Sequence, residues 1–214
     1  MHEDTQAQPS RMGEVLKNRQ LLNLDFGIFA LHAAQMALFT ALPFAMTQLG
    51  LEKIHHWRVY LPSTITGLII MVPLIIVGET RNKLKQVFIL GIVCIAAAQI
   101  GLLFGMHSVW LITAYLIVYF IGFNVLEASL PSMVSKIAPS DLKGTAMGVY
   151  NTMQSVGLFV GGATGGLLFQ KYGFAGVFAF CSVLMLLWLV LAVISPAPKP
   201  VKNLSYPLNA EWQQ

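Results

Sequence analysis

Four ionisable side chains lie within or at the ends of long apolar stretches: Asp25, His32, Glu79 and Glu127. A charge at membrane depth is costly, so such residues tend to face a cavity or a partner and are functional candidates. An imidazole has a reference pKa near 6.5, and a Glu and a His taken out of water can exchange protons in the physiological range. The residue types therefore predict proton binding and release, as a proton-coupled carrier requires.

The spacing of the polar residues groups them into two helical faces. Asp25 and His32 are seven residues apart, which places them on one face about two turns from each other. Asn124 and Glu127 are three residues apart and share a face of a second helix. We predict that Glu127, His32 and Asp25 couple proton movement, and that Asn124 makes polar contacts in a substrate cavity. The alternative is structural: Glu127 bonds a neighbouring helix and His32 is a hydrogen-bonded packing residue.

A short loop after the second apolar stretch carries Glu79, Arg81, Lys83 and Lys85. Positive charge holds such a loop on the cytoplasmic side, and this orienting effect explains the basic residues. A second interpretation is a cytoplasmic gating loop, whose side chains engage the end of a neighbouring helix in one conformation and release it in another. The sequence leaves both interpretations open.

Glycine is concentrated in the fifth apolar stretch. Gly157, Gly161 and Gly165 recur at four-residue spacing and form one small face, which lets a neighbouring backbone approach closely. Tight helix packing is the favoured interpretation of this face. A dedicated rocking surface is the alternative.

Motifs for catalysis or cofactor binding do not accompany these residues. The glycines follow no strand and lack the dinucleotide-binding spacing, and the sequence contains no HExxH, GxSxG or Walker motif. Cys94 and Cys181 lie in apolar stretches without CxxC or Cys/His spacing, so no metal site is predicted. We expect no enzymatic activity and no cofactor.

The elements that must position these side chains are membrane-spanning helices. With 56% hydrophobic and 10% charged residues and a mean hydropathy of +0.69, the chain does not fit a water-soluble surface. A helix needs about twenty apolar residues to cross a hydrocarbon core about 30 Å thick, and six segments qualify. They are predicted at residues 24–46, 59–77, 87–106, 109–134, 144–169 and 174–194. Their apolar runs are continuous rather than alternating, which predicts an all-α membrane protein and excludes a transmembrane barrel.

The distribution of basic residues sets the predicted orientation. Ten of the 13 Lys and Arg residues lie before the first segment, after the sixth, or in the alternate loops between them. Short cytoplasmic loops carry this excess, so both termini are predicted to face the cytoplasm. We expect a cytoplasmic N-terminal segment at 1–21, a six-helix bundle at 22–195 and a cytoplasmic tail at 196–214. Because the basic residues are spread thinly over loops, we expect a lipid bilayer and no nucleic acid as partner.

Four short runs of residues carry a resemblance to a known family. They are Leu24-Asp25-Phe26-Gly27-Ile28 with His32 beyond it, Lys85-Gln86-Val87-Phe88, Phe123-Asn124-Val125-Leu126-Glu127-Ala128 and Lys143-Gly144-Thr145-Ala146-Met147-Gly148-Val149-Tyr150. They resemble the C-terminal half of YajR-like drug and proton antiporters of the major facilitator superfamily. The match covers about residues 22–194, and the run at 143–150 is its most specific part. The loop at 79–85 resembles the degenerate second copy of the superfamily's cytoplasmic gating motif.

The resemblance implies one half-bundle of the major facilitator fold, in the inner membrane of a bacterium, with His32, Asn124 and Glu127 among its interior polar residues. The superfamily places its substrate path between two six-helix bundles. It therefore implies an N-terminal six-helix half, in the same or a separate chain, with residues 1–20 as the linker. The implied function is secondary active, proton-coupled export of hydrophobic or amphipathic compounds. A sugar, organic acid or metabolite carrier of the same superfamily, or a non-transporting membrane scaffold, is the alternative.

Overall fold

The structure, a computed structural model, describes residues 11–195, and this part of the chain is helical. Its helices are α1 (Met12–Lys17), α2 (Arg19–Gln48), α3 (Trp57–Thr80), α4 (Leu84–Phe104), α5 (Val109–Ile137) and α6 (Lys143–Ile194). Two single-turn 3₁₀ helices, Lys53–His55 and Ser140–Leu142, lie in the loops before α3 and α6. The predicted tail at 196–214 and the first ten residues of the predicted segment at 1–21 lie outside the described residues.

Helices α2 to α6 are the five that are long and apolar enough to cross a membrane, judged by length and composition. The first four predicted segments correspond to α2, α3, α4 and α5, one to each, although the third runs two residues past the end of α4 at Phe104. Most of these helices extend a few residues past the predicted ends, because polar residues at a membrane surface can continue a helix. The fifth and sixth predicted segments both fall within α6.

Helix α6 is broken at Gly173, whose φ of 61° and ψ of −151° are not helical. This backbone conformation is essentially restricted to glycine. Before the break, Gly157 faces Phe29 on α2 and Gly165 faces Ala37, so that part runs parallel to α2. After the break the direction is reversed.

The reversal is visible in the contacts of the second part of α6. Cys181 lies against Ala34 of α2, and Trp188 lies against Gly27, nearer the start of α2. At 1.5 Å per residue, both parts (143–172 and 174–194) are long enough for a hydrocarbon core about 30 Å thick. Two crossings by α6 would give the predicted count of six, which stays a prediction.

The start of the described chain differs from the predicted polar segment at 1–21. Helix α1 lies inside that segment, and α2 begins at Arg19 rather than near residue 24. Asn18 explains the early start, because its side-chain oxygen accepts hydrogen bonds from the backbone N–H groups of Gln20 and Leu21 at 3.0 and 3.4 Å. Val15 of α1 is buried, so α1 packs on the bundle.

The core of the bundle surrounds α2, which packs on α5 and on both parts of α6. The α2 residues in the core include a series of fully buried alanines: Ala30, Ala33, Ala34, Ala37 and Ala41. Small residues on both sides allow the backbones of α2 and α6 to approach closely. A Cβ atom on Gly157 would lie 2.5 Å from the Phe29 carbonyl oxygen, and one on Gly165 would lie 2.7 Å from Ala37 Cα. Gly161 faces the backbone of Ala33 in the same way.

Candidate functional site

His32 lies in the interior of the bundle on α2, with 7% of its side chain exposed. Its Nδ1 atom is 3.2 Å from the Ile28 carbonyl oxygen, one turn earlier on the same helix. Because a carbonyl can only accept, Nδ1 must carry the proton in this hydrogen bond. The Phe123 ring of α5 meets the imidazole edge to face at a centroid distance of 5.9 Å. The ring is therefore held by its own helix on one side and by an aromatic residue on another.

Glu127 approaches His32 from α5. Its Oε1 atom is 3.4 Å from His32 Nε2, and 33% of the Glu127 side chain is exposed. This distance is longer than the 2.7–2.9 Å typical of a charge-assisted N–H···O bond. The carboxyl group is thus beside the imidazole but not in a short hydrogen bond with it, and it reaches the surface of the bundle.

Gln154 of α6 is the third member of this cluster, and the sequence analysis did not identify it. Its Nε2 atom lies 2.8 Å from His32 Nε2. Gln154 is three residues before Gly157, which faces α2, so the two residues share a helical face. That spacing, with an amide inside an apolar glycine-rich stretch, is the signal that could have identified it.

Asp25 of α2 and Tyr150 of α6 are both buried, at 3% exposure each. Tyr150 of α6 lies within electrostatic range of both Glu127 and Asp25. Within residues 11–195, Asp25 Oδ2 and the Tyr150 hydroxyl have no hydrogen-bond partner. No hydrogen bond or ion pair joins Asp25 to His32 among the described residues, although the two share a face of α2.

Asn124 is separated from the cluster by its orientation on α5. It packs against Gly67 of α3, where an added Cβ would lie 3.0 Å from Asn124 Nδ2. That nitrogen is buried and has no hydrogen-bond partner among the described residues. The structure thus brings His32 and Glu127 together and places Asn124 at the neighbouring contact between α3 and α5.

The predicted gating loop spans the end of α3, residues 81–83 and the start of α4, and one of its four predicted residues, Lys85 on α4, reaches the end of α6. Lys85 Nζ donates to the carbonyl oxygens of Ser195 at 2.7 Å and Val193 at 3.4 Å. Glu79, Arg81 and Lys83 are exposed, and no side-chain bond from them to another described residue is present. The gating interpretation expects a side chain of this segment to engage the end of a neighbouring helix in one conformation. The bond from Lys85 to the end of α6 is a contact of that type.

A charged cluster at the same end of the bundle joins α1 to the loop before α6. Arg11 donates to Asp141 at 2.5 Å and to Glu14 at 2.7 Å. These contacts lower the pKa of Glu14 and Asp141 below their ordinary values and raise that of Arg11. A lowered carboxyl pKa means that the contribution of these contacts to stability is present at neutral pH and is lost as the pH falls through that lowered pKa.

A protein metal site is built mainly from clustered His, Cys, Asp and Glu side chains. The side chains of residues 11–195 include no group of three or more His, Cys, Asp and Glu residues that could hold a metal ion. The His32, Glu127 and Gln154 cluster contains one imidazole, one carboxyl and one amide. The imidazole and the carboxyl group can bind and release a proton, and the amide can donate or accept hydrogen bonds beside them.

Comparisons with a family profile and with curated proteins both match this chain to membrane transporters. The profile of the Major Facilitator Superfamily matches residues 26–213. The chain is 37% identical to the inner membrane transport protein YajR of Escherichia coli (strain K12) over 197 residues, which cover 92% of this chain and 43% of YajR. It is 29% identical to an uncharacterized transporter of Buchnera aphidicola subsp. Baizongia pistaciae over 86% of this chain and 48% of that protein. The chain thus spans less than half the length of these curated relatives.

Proposed function

This chain belongs to the major facilitator superfamily of membrane transporters, and we propose that it is the C-terminal half of a proton-coupled exporter. In this proposal its partners are an N-terminal six-helix half, a hydrophobic or amphipathic substrate, and protons. Both termini face the cytoplasm, and the protein lies in the inner membrane.

The contact between His32 and Glu127 is the observation that carries this proposal. Two ionisable groups from α2 and α5 lie 3.4 Å apart, with the His32 side chain 7% exposed and the Glu127 side chain 33% exposed. Burying such groups is costly, and a proton-coupled carrier is a function that makes use of them. Protonation of the pair would change the hydrogen bonds between helices, which is the change that a proton-driven conformational cycle needs.

The surroundings of the pair favour an apolar substrate over a sugar. Phe123 beside His32 stacks on Tyr119 at 5.9 Å and meets Phe120 edge to face at 6.4 Å. Binding sites for drug-sized compounds are lined mainly by hydrophobic and aromatic side chains with a few polar groups that orient the ligand. Asn124 supplies such a polar group next to this aromatic cluster.

The exposure of Glu127 favours transport over a scaffold role. A closed scaffold bundle would bury its polar faces against one another, whereas a third of the Glu127 side chain lies at the bundle surface. A carboxyl group at membrane depth is unfavourable against lipid, so this surface is suited to a water-filled cavity shared with a second half.

Glu127→Gln tests the proposal in a chain completed with its N-terminal half. Gln keeps the size of Glu and its hydrogen bonding but cannot release a proton. Proton-driven export in proteoliposomes should fall about a hundredfold or more, the lower end of a general acid–base contribution, while the protein stays in the membrane. Glu52→Gln, in the exposed loop before α3, should transport normally. Wild-type proton coupling in Glu127→Gln would rule out the assigned role.

A further inference from the structure

We propose that Gln154 is a positioning residue that holds neutral His32 in the Nδ1–H tautomer, and that its side-chain amide turns over when His32 takes up a proton. The inference deepens the proposed function and rests on it for its importance to transport. The geometry on which it stands is independent of transport.

The hydrogen bonds of His32 leave one consistent assignment of its protons. Nδ1 faces the Ile28 carbonyl oxygen at 3.2 Å, so it must donate. A neutral imidazole then has a bare Nε2, which can only accept. The Gln154 amide nitrogen, 2.8 Å from this atom, is a donor and meets that requirement.

Glu127 competes with Gln154 for the same imidazole nitrogen. A carboxylate at 3.4 Å is an acceptor, so on its own it would favour the other tautomer, in which Nε2 carries the proton. Gln154 opposes that preference by donating to Nε2. Glu127 Oε1 has no hydrogen-bond partner among the described residues. This agrees with an arrangement in which His32 Nε2 accepts from Gln154 and does not donate to Glu127.

Protonation reverses the roles of these groups. When one proton from water binds Nε2, both ring nitrogens donate, and the amide nitrogen of Gln154 would face another donor. Rotation of the amide by half a turn presents its oxygen instead, and no helix has to move for this step. The new N–H also points to the Glu127 carboxylate, so the same proton draws α5 toward α2.

The location of Gln154 on α6 gives the switch a mechanical consequence. Gln154 precedes Gly157, whose close approach to Phe29 holds α6 against α2. In the neutral state His32 is bonded to α6 through Gln154. In the charged state Nε2–H can donate both to the turned amide oxygen of Gln154 and to the Glu127 carboxylate, 3.4 Å away, so the proton keeps the contact of α2 with α6 and adds one with α5.

The titratable groups around His32 are few among residues 11–195. Glu127 faces it from α5, and Asp25 lies about two turns away on α2 itself. Tyr150 of α6 is in electrostatic range of both carboxyl groups, and Tyr119 of α5 is in range of Glu127. Any pH dependence of His32 is therefore expected to respond to these four residues as well as to Gln154.

Magic-angle-spinning NMR on the ¹⁵N-histidine-labelled chain tests the tautomer directly. The chain would be placed in phosphatidylethanolamine and phosphatidylglycerol liposomes, and the His32 signals among the five histidines would be assigned from the spectrum of His32→Gln. At alkaline pH, wild-type His32 should show a protonated Nδ1 and a bare Nε2. In Gln154→Leu the share of the Nε2–H tautomer should rise about fivefold, as expected for the loss of one hydrogen bond of typical net strength.

Two further variants separate hydrogen bonding from packing. Gln154→Glu keeps the side-chain length but replaces the donor with an acceptor, so it should favour the Nε2–H tautomer more than Gln154→Leu does. Ser155→Ala is the matched control, because the Ser155 hydroxyl donates to the Asn151 carbonyl oxygen of its own helix. Its spectrum should match the wild type.

The inference is overturned if wild-type neutral His32 carries its proton on Nε2, or if Gln154→Leu and Gln154→Glu both leave the tautomer unchanged. These spectra require no transport, so the two proposals fail separately. The expected spectra together with normal proton coupling in Glu127→Gln would remove the proposed function and leave the role of Gln154 intact. If the tautomer does not respond to the Gln154 variants but Glu127→Gln loses proton coupling, the proposed role of Gln154 is rejected and the proposed function stands.

Discussion

Lys85 and Ser195 tie the start of α4 to the end of α6, with the lysine ammonium group 2.7 Å from the serine carbonyl oxygen. The last carbonyl groups of a helix have no partner within the helix and carry partial negative charge. A lysine at this position satisfies one of them and is attracted by the helix dipole. The contact joins the predicted gating loop to a helix that also packs on α2.

Lys85→Met should weaken this junction. Methionine keeps a long apolar side chain but removes the ammonium donor, and we expect a loss of about 1 kcal/mol in free energy of unfolding, since the site is partly exposed. Unfolding in mixed detergent micelles would measure it. Lys83→Met is the matched control, because Lys83 is exposed and should cost almost nothing. Equal stability of the two variants would show that the Lys85 contact does not stabilise the bundle.

Gly161→Ala should destabilise the contact between α2 and α6. The added Cβ would meet the backbone of Ala33, which cannot move away as a flexible side chain can. Overpacking of this kind costs about 1–3 kcal/mol. Gly166→Ala, on the same helix, has no atom within 4 Å of its added Cβ and should be neutral. Both would be compared by thermal unfolding in detergent, and a neutral Gly161→Ala would contradict the tight packing.

The predicted topology can be tested with single cysteines in a chain whose Cys94 and Cys181 are replaced by alanine. A cysteine in place of His107, in the exposed loop before α5, should react with an impermeant thiol reagent added outside intact cells. One in place of Arg81 should react only after the membrane is opened, because positive charge keeps its loop inside. Ser108 and Asn82 are left unchanged. The Ser108 side chain caps α5, and Asn82 has a φ of 56°, a backbone conformation that cysteine rarely adopts. The reverse labelling pattern would invert the orientation.

Much of the fold follows from the hydropathy of the sequence, because continuous apolar runs and turn residues specify helices directly. The break at Gly173 also falls in the predicted gap between the last two segments. The helix at residues 12–17 was not predicted, since it depends on Val15 packing against the bundle. Local composition cannot reveal such tertiary contacts.

The candidate site was predicted only in part. His32 and Glu127 were identified because they are ionisable residues in apolar stretches. The packing of α2 on α5, which brings their side chains to 3.4 Å, could not be predicted from the sequence. Gln154 was missed because an amide carries no charge to mark it, and its role depends on the register between α6 and α2. Asn124 shares a helix face with Glu127 in the sequence, yet a rotation of about 60° between positions three apart is enough to direct it toward α3.

Reconstitution tests the central claim, that this chain is one half of a proton-coupled transporter, most directly. The purified chain would be placed in liposomes containing a pH-sensitive dye, alone or together with its matching N-terminal half, and a hydrophobic substrate would be added. A single bundle supplies one wall of the path, so the account predicts no substrate-dependent proton flux from the chain alone and clear flux from the pair. Robust flux from the chain alone would contradict the account and identify a self-sufficient dimeric carrier.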